Sequence, residues 1–116
     1  MDVSLKNAPL ELYGFLQGNY LLTANVNGKP SWTTMSGGSS IWYSHGTKRW
    51  MIGYEDYIGT DTNAIISAVY NYEGVDNISI QWYYKGIQAT KWTKASRNDI
   101  SIQCIGELKC TWNQNV

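Results

Sequence analysis

Between residues 18 and 53, apolar and polar positions alternate in short runs broken by turn residues, the period-2 signature of half-buried strands. Asn19–Asn25 predicts the first strand, although its Leu21-Leu22 pair would also suit a short helix. Asn27-Gly28 follows, the strongest short hairpin signal, because both central residues of such a turn take positive φ. Pro30–Thr34 returns, with Pro30 at the strand's first position, where its missing N–H removes no central ladder bond. Met35–Ser39, with Gly37-Gly38, reads as a loop, Ser40–Ser44 as a strand, His45-Gly46-Thr47 as a turn and Arg49–Gly53 as the next strand. Two consecutive hairpins make a meander. Alternation places Tyr20, Trp42, Trp50 and Ile52 on one face, the core face, and their neighbours Tyr43, Met51 and Trp32 on the other face or on the core of a second sheet.

The second half is patterned less cleanly. Ala64–Tyr70 suits a strand or one to two turns of helix, and its β-branched content tips it towards strand. Ile78–Tyr84 alternates, Lys85-Gly86 supplies a turn, Ile87–Thr93 returns and Ile100–Ile105 closes the run. No segment has the length and period of an amphipathic helix. The expected fold is therefore all-β: one domain over residues 1–116, a compact antiparallel meander forming a small sandwich or partly open barrel. No linker, low-complexity tract, charge block or internal repeat interrupts it.

Composition sharpens this picture. The chain has 6 Trp and 9 Tyr but 1 Phe, so its aromatics almost all carry a polar handle suited to half-buried faces and binding surfaces. A domain of this size cannot bury all of them. Nine basic residues balance nine acidic ones, which argues against a phosphate-backbone partner and against an anionic membrane surface. No apolar run approaches the roughly 20 residues of a membrane span, so no membrane insertion is expected. The N-terminal segment shows no basic region followed by an apolar stretch, leaving open a removed signal peptide or none.

Cys104 and Cys110 flank a short loop containing Gly106, between stretches that read as strands. Two cysteines facing each other across such a hairpin reach disulfide geometry, and closing the loop would stabilise by about 2.4 kcal/mol on the chain-entropy model. The alternative is two free thiols in a reducing compartment; hairpin spacing and sheet-like composition favour the disulfide and an oxidising setting. With one His and no second Cys pair, zinc is not expected.

The order Gly18-Asn19-Tyr20, Asn27-Gly28-Lys29-Pro30-x-Trp32, Ile41-Trp42-Tyr43, Arg49-Trp50-Met51-Ile52-Gly53, then Trp82 and Trp92, resembles a small module that recurs in extracellular multidomain proteins of invertebrates and some protists. The resemblance spans roughly residues 14 to 104 and is strongest from 18 to 53. It implies a secreted setting and an accessory, non-catalytic role, with no catalytic residue to carry over. The chain departs from the module's pattern in its extra length after Cys104.

Candidate chemistry is sparse. His45 is the single histidine, and the adjacent Ser44 would point to the opposite face of a strand. No Gly-x-Ser-x-Gly elbow is present, so no hydrolase site is expected and the chain is not read as an enzyme. Glu55, Asp56 and Asp61 form the one local cluster of hard oxygen ligands; a loop of this kind could supply several of the oxygens calcium needs, but it is equally ordinary as a solvated connection and its spacing is not that of a known calcium loop. Nothing places two carboxylates across a cleft as glycoside hydrolysis requires. No cofactor is expected beyond that weak calcium candidate.

Binding has more support. Trp and Tyr rings flanked by Asn, Gln, Ser and Thr suit stacking on sugars and equally suit protein recognition. The candidate surface residues are Trp82 and Tyr84 in Gln81–Gly86, Trp92 in Lys91–Lys94, and Trp32 beside the Gly-rich loop. Asn77-Ile78-Ser79 is a glycosylation sequon. The functional expectation is an extracellular recognition or adhesion module for a glycan or a protein, with edge-to-edge self-assembly of a structural block as the alternative.

Overall fold

A computed structural model describes residues 2–5, 16, 18–35, 37–70, 75, 80–85, 90–95 and 100–103. Nine strands follow in chain order: β1 (Asp2–Leu5), β2 (Gly18–Val26), β3 (Lys29–Thr34), β4 (Ser39–Ser44), β5 (Arg49–Tyr54), β6 (Ala64–Val69), β7 (Tyr83–Tyr84), β8 (Thr93–Lys94) and β9 (Ile100–Gln103). β2 to β8 are consecutive antiparallel neighbours, the expected meander, and β1 then β9 extend the sheet beyond β2. No described helix is long and apolar enough to cross a membrane.

The sheet is curled. A flat single layer is about 10 Å deep, whereas the molecule measures 39 × 28 × 28 Å. One core joins Trp82 and Ala95 near the β8 end to Ile100 and Ile102 of β9 at the other, so the concave face wraps a common interior. No ladder among the described residues joins β8 to β9, and the barrel stays open.

Register explains which side chains line that interior. One row runs straight across the sheet through Trp32, Ile41, Ile52, Ile66 and Tyr84, and a second through Tyr43, Trp50 and Ala68. Trp32, Tyr43, Trp50 and Tyr70 meet at ring separations of 5.1 to 6.1 Å in tilted and edge-on arrangements, the favoured aromatic geometries. The Lys29 ammonium lies 4.4 Å from the Tyr70 centroid and 4.9 Å from that of Tyr43, capping the cluster. Tyr20, fully buried, donates its hydroxyl to the Leu16 carbonyl at 2.7 Å; burial drives its phenol well above the usual value, with a Ser39 hydrogen bond opposing.

The sequence reading of faces needs one correction. Trp42 does not share a face with Tyr20, Trp50 and Ile52. The loop His45–Lys48 sets Ser44 opposite Arg49, so Trp42 pairs with Met51 and both point to the convex side, while Tyr43 and Trp32 join the concave core. A single-residue register difference moves a whole set of side chains between faces. The Asn27-Gly28 turn is as expected, with φ of 55° and 84°. Pro30 is the second residue of β3 rather than the first; the β3–β4 ladder involves only Trp32 and Thr33, so the imide interrupts nothing there. β7 and β8 are two residues each, much shorter than Ile78–Tyr84 and Ile87–Thr93, and β1 was not expected, although Asp2-Val3-Ser4-Leu5 alternates polar and apolar residues. Cys104, Cys110 and Asn77 lie outside the described residues.

Candidate functional site

The convex face divides into a covered half and an uncovered half. Over β4 and β5, the segment from Glu55 to Asn63 folds back as a strap. It begins with a 3₁₀ turn, Glu55–Tyr57, whose first N–H donates to the Gly38 carbonyl at 2.9 Å. The strap is pinned by Trp42, whose indole N–H donates to the Thr60 carbonyl at 2.9 Å. Asn27 adds a second pin, its amide bridging the carbonyls of Tyr43 (2.8 Å) and Gly59 (3.1 Å). Beneath lie Trp42, Met51 and Ala64, with Val26 and Ile58 packed at the rim.

The carboxylates considered for a metal serve this strap. Asp61 Oδ1 accepts from the buried Ser44 hydroxyl at 2.7 Å and from the Gly46 N–H at 3.0 Å. Those two bonds, the Ser44 one foremost, hold the Asp61 carboxyl below its ordinary value, and the charge of His45 adds to the effect. Ser44 Oγ accepts in turn from Thr47 Oγ1 at 2.7 Å. Its proton is committed to Asp61, so Ser44 and His45 are not arranged as nucleophile and base. A Cβ at Gly46 would collide with the Asp61 carboxylate, which explains the glycine. Glu55 Oε1 sits 3.4 Å from the Gly38 nitrogen, at the other end of the strap. Glu55, Asp56 and Asp61 therefore do not converge, and no group of three metal-ligating side chains occurs among the described residues.

Of the four candidate binding aromatics, the structure brings one to an open face. Trp32 and Trp82 are core residues at 5 % and 4 % exposure, a correction to their reading as surface rings. Tyr84 is half-buried in the concave row opposite Ile66 and packs against the core. Trp92 is exposed at 36 %. It lies beyond the strap, where the convex row Met51–Ser67–Tyr83–Lys94 emerges from cover.

There the side chains form a two-by-two array. Tyr83 faces Lys94 across the β7–β8 ladder, and in the next position Lys85 places its ammonium 4.8 Å from the Trp92 ring centroid. Arg49 reaches in from β5, with its guanidinium carbon 5.9 Å from the Tyr83 centroid and a 3.3 Å hydrogen bond to Ser67 Oγ. Exposed Val69 stands opposite Arg49. Each diagonal of the array thus holds like partners, two aromatics on one and two lysines on the other. Strand spacing makes its footprint about 5 by 7 Å. Tyr83 and Arg49 were not singled out by sequence reasoning; the signal was an aromatic and a lysine two apart in each segment, Tyr83/Lys85 and Trp92/Lys94.

A second exposed feature is β2. Its outer edge pairs with β1 at Gly18 and Asn19, and Leu21–Val26 has no partner strand on that side among the described residues. Leu21 and Leu22 are both more than half exposed, and a bulge lies between Leu22 and Ala24. Compared with known proteins, the chain matches no family model, no curated protein and no solved structure.

Proposed function

We propose that this chain is a non-catalytic extracellular recognition module that binds a glycan through the uncovered half of its convex face. The observation that carries the reading is the Trp92/Tyr83 array, an exposed Trp beside a half-buried Tyr at the paired β7–β8 end of an otherwise covered face. Rigid amphipathic rings lose little conformational entropy on binding and offer flat apolar area for a sugar face, while their polar neighbours bond hydroxyls. The secreted setting rests on the module resemblance and on the Cys104/Cys110 spacing. A glycan-array screen of the purified chain, followed by Trp-fluorescence titration of any hit, tests the reading. A saturable hit abolished by Trp92→Ala, with the far-UV spectrum unchanged, supports it. A blank array would redirect attention to protein partners.

A second reading is favoured by β2. An edge that carries Leu21 and Leu22 and has no partner strand among the described residues, with no charged residue from Gly18 to Val26, lacks the lysines and prolines that usually blunt such edges. Copies joined edge to edge would build a fibre or matrix. Light scattering across a concentration series distinguishes this, since recognition alone needs no change in size.

A further inference from the structure

We infer that the ligand of the convex array is an acidic glycan, one bearing carboxylate or sulfate groups, rather than a neutral one. The inference rests on the recognition reading above and specifies its chemistry. Three cations, Arg49, Lys85 and Lys94, surround the two aromatic rings. Residues 80–95 contain three lysines and no Asp or Glu, so β7, β8 and their described flanks supply no anion to neutralise them. The described carboxylates of the convex face belong to the strap, where Asp61 is bound by Ser44 and Gly46. An overall charge of zero therefore conceals a local positive surface.

Position matters as much as sign. A lysine that merely decorates a strand swings free in water. Here Lys85 is drawn over the Trp92 ring and Arg49 is anchored to Ser67 beside Tyr83, so cation and ring are presented side by side. A neutral sugar stacking on Trp92 would make no use of those charges. An acidic sugar unit fits both: its ring face lies on Trp92 or Tyr83, and its anionic substituent reaches Lys85, Lys94 or the guanidinium, which suits planar bidentate contact. Single-stranded nucleic acid combines anions with stacking faces as well. The array is small and carries no continuous basic groove to track a backbone, which favours the glycan.

The test uses the intact chain and three probes of matched length: a sulfated or uronate-containing hexasaccharide, a neutral hexasaccharide and a single-stranded oligothymidylate. Binding is measured calorimetrically at about 20 and 200 mM salt. We expect the acidic sugar to bind at least ~10-fold more tightly than the neutral one and to weaken at high salt as screening shortens the reach of the charges. Lys85→Gln and Lys94→Gln, both at half-buried or exposed positions, should each lower affinity for the acidic sugar about 3- to 10-fold and lower any neutral-sugar binding by less. Trp92→Ala should abolish binding of either. Equal binding of acidic and neutral sugars, indifferent to salt and to the two lysines, overturns the inference while the recognition reading survives. No oligosaccharide binding at all removes both. Preference for oligothymidylate overturns the inference in favour of a nucleic acid.

Discussion

Trp42 and Trp50 offer a controlled comparison, because both indoles are almost completely buried but only one has a hydrogen-bond partner among the described residues. Trp42 is 0 % exposed and donates to the Thr60 carbonyl; Trp50 is 1 % exposed and its Nε1 has no partner among the described residues. The rings of Tyr43 and Tyr70 stand at 73° and 86° to the Trp50 indole and offer at most a weak π acceptor. Replacing either Trp by Phe removes about 40 Å² of apolar ring, or ~1 kcal/mol, and leaves a small void costing about as much again. Those terms are shared. The N–H terms have opposite signs. Trp42→Phe forfeits a net ~1 kcal/mol hydrogen bond, whereas Trp50→Phe removes a desolvated donor whose burial costs about 1–3 kcal/mol. Trp42→Phe should therefore be the more destabilising by about 2–4 kcal/mol. At about 4 °C per kcal/mol for a chain of this size, their melting temperatures should differ by about 8–16 °C. Thermal unfolding followed by near-UV circular dichroism, supported by guanidinium titration, measures the gap directly. If Trp50→Phe melts at or below Trp42→Phe, the assignment of the Trp50 N–H as an unpaired burden is wrong.

Other expectations follow from single contacts. Tyr20→Phe deletes the buried hydroxyl that satisfies the Leu16 carbonyl and should cost about 1–3 kcal/mol by denaturant titration; a neutral outcome would mean that the carbonyl finds another donor. Gly46→Ala forces Asp61 off Ser44, so its effect on melting temperature should not add to that of Asp61→Ala in the double variant; simple additivity would show that the collision is not the cause. The Asp61 carboxyl titrates lower folded than unfolded. Its contribution is therefore complete above the ordinary carboxylate range and fades as pH falls through the lowered folded value, and Asp61→Asn should flatten that acid limb of the stability profile. An unchanged limb would locate the acid sensitivity elsewhere. Leu22→Lys, which places a charge on the open β2 edge, should abolish any concentration-dependent size increase while leaving glycan binding intact.

The meander was legible from residues 18 to 53 because each turn there has a chemical signature. Asn27-Gly28 demands the left-handed region, and Gly37-Gly38 breaks the run before β4. The loop His45–Lys48 was legible as a turn but not as a register. It holds four residues and ends on Lys48 at φ 56°, and nothing in those side chains announces that Ser44 will face Arg49. That ambiguity alone sent Trp42 to the wrong face. Burial was hardest where both faces are covered. Every residue of β4 is buried, so polar Ser40 and Ser44 sit as deep as Ile41 and alternation carries no information about exposure. Trp32 and Trp82 were misplaced because an aromatic beside polar residues looks the same in sequence whether it faces solvent or core. Trp92 is exposed just before the two-residue strand β8 at the sheet's end.

What separates the convex half that builds the fold from the half that meets other molecules is where the chain places its strap. Glu55–Asn63 supplies Thr60 to Trp42, Gly59 to Asn27 and Asp61 to Ser44, and these fix it over β4 and β5. The strap consumes the acidic residues of its half in doing so. Past β5, the same register row passes from buried Met51 and Ser67 to Tyr83 and Lys94, and the side chains change from apolar to cationic and aromatic over a single strand. Cations left over such a face are costly neither to solvate nor to bring together at this spacing, since Arg49 and Lys85 are each partly compensated by a ring quadrupole. A carboxylate placed among them would form a surface ion pair of little stability value and would neutralise the field. Its exclusion from residues 80–95 therefore brings little to folding, and it is a feature that binding an anion would use.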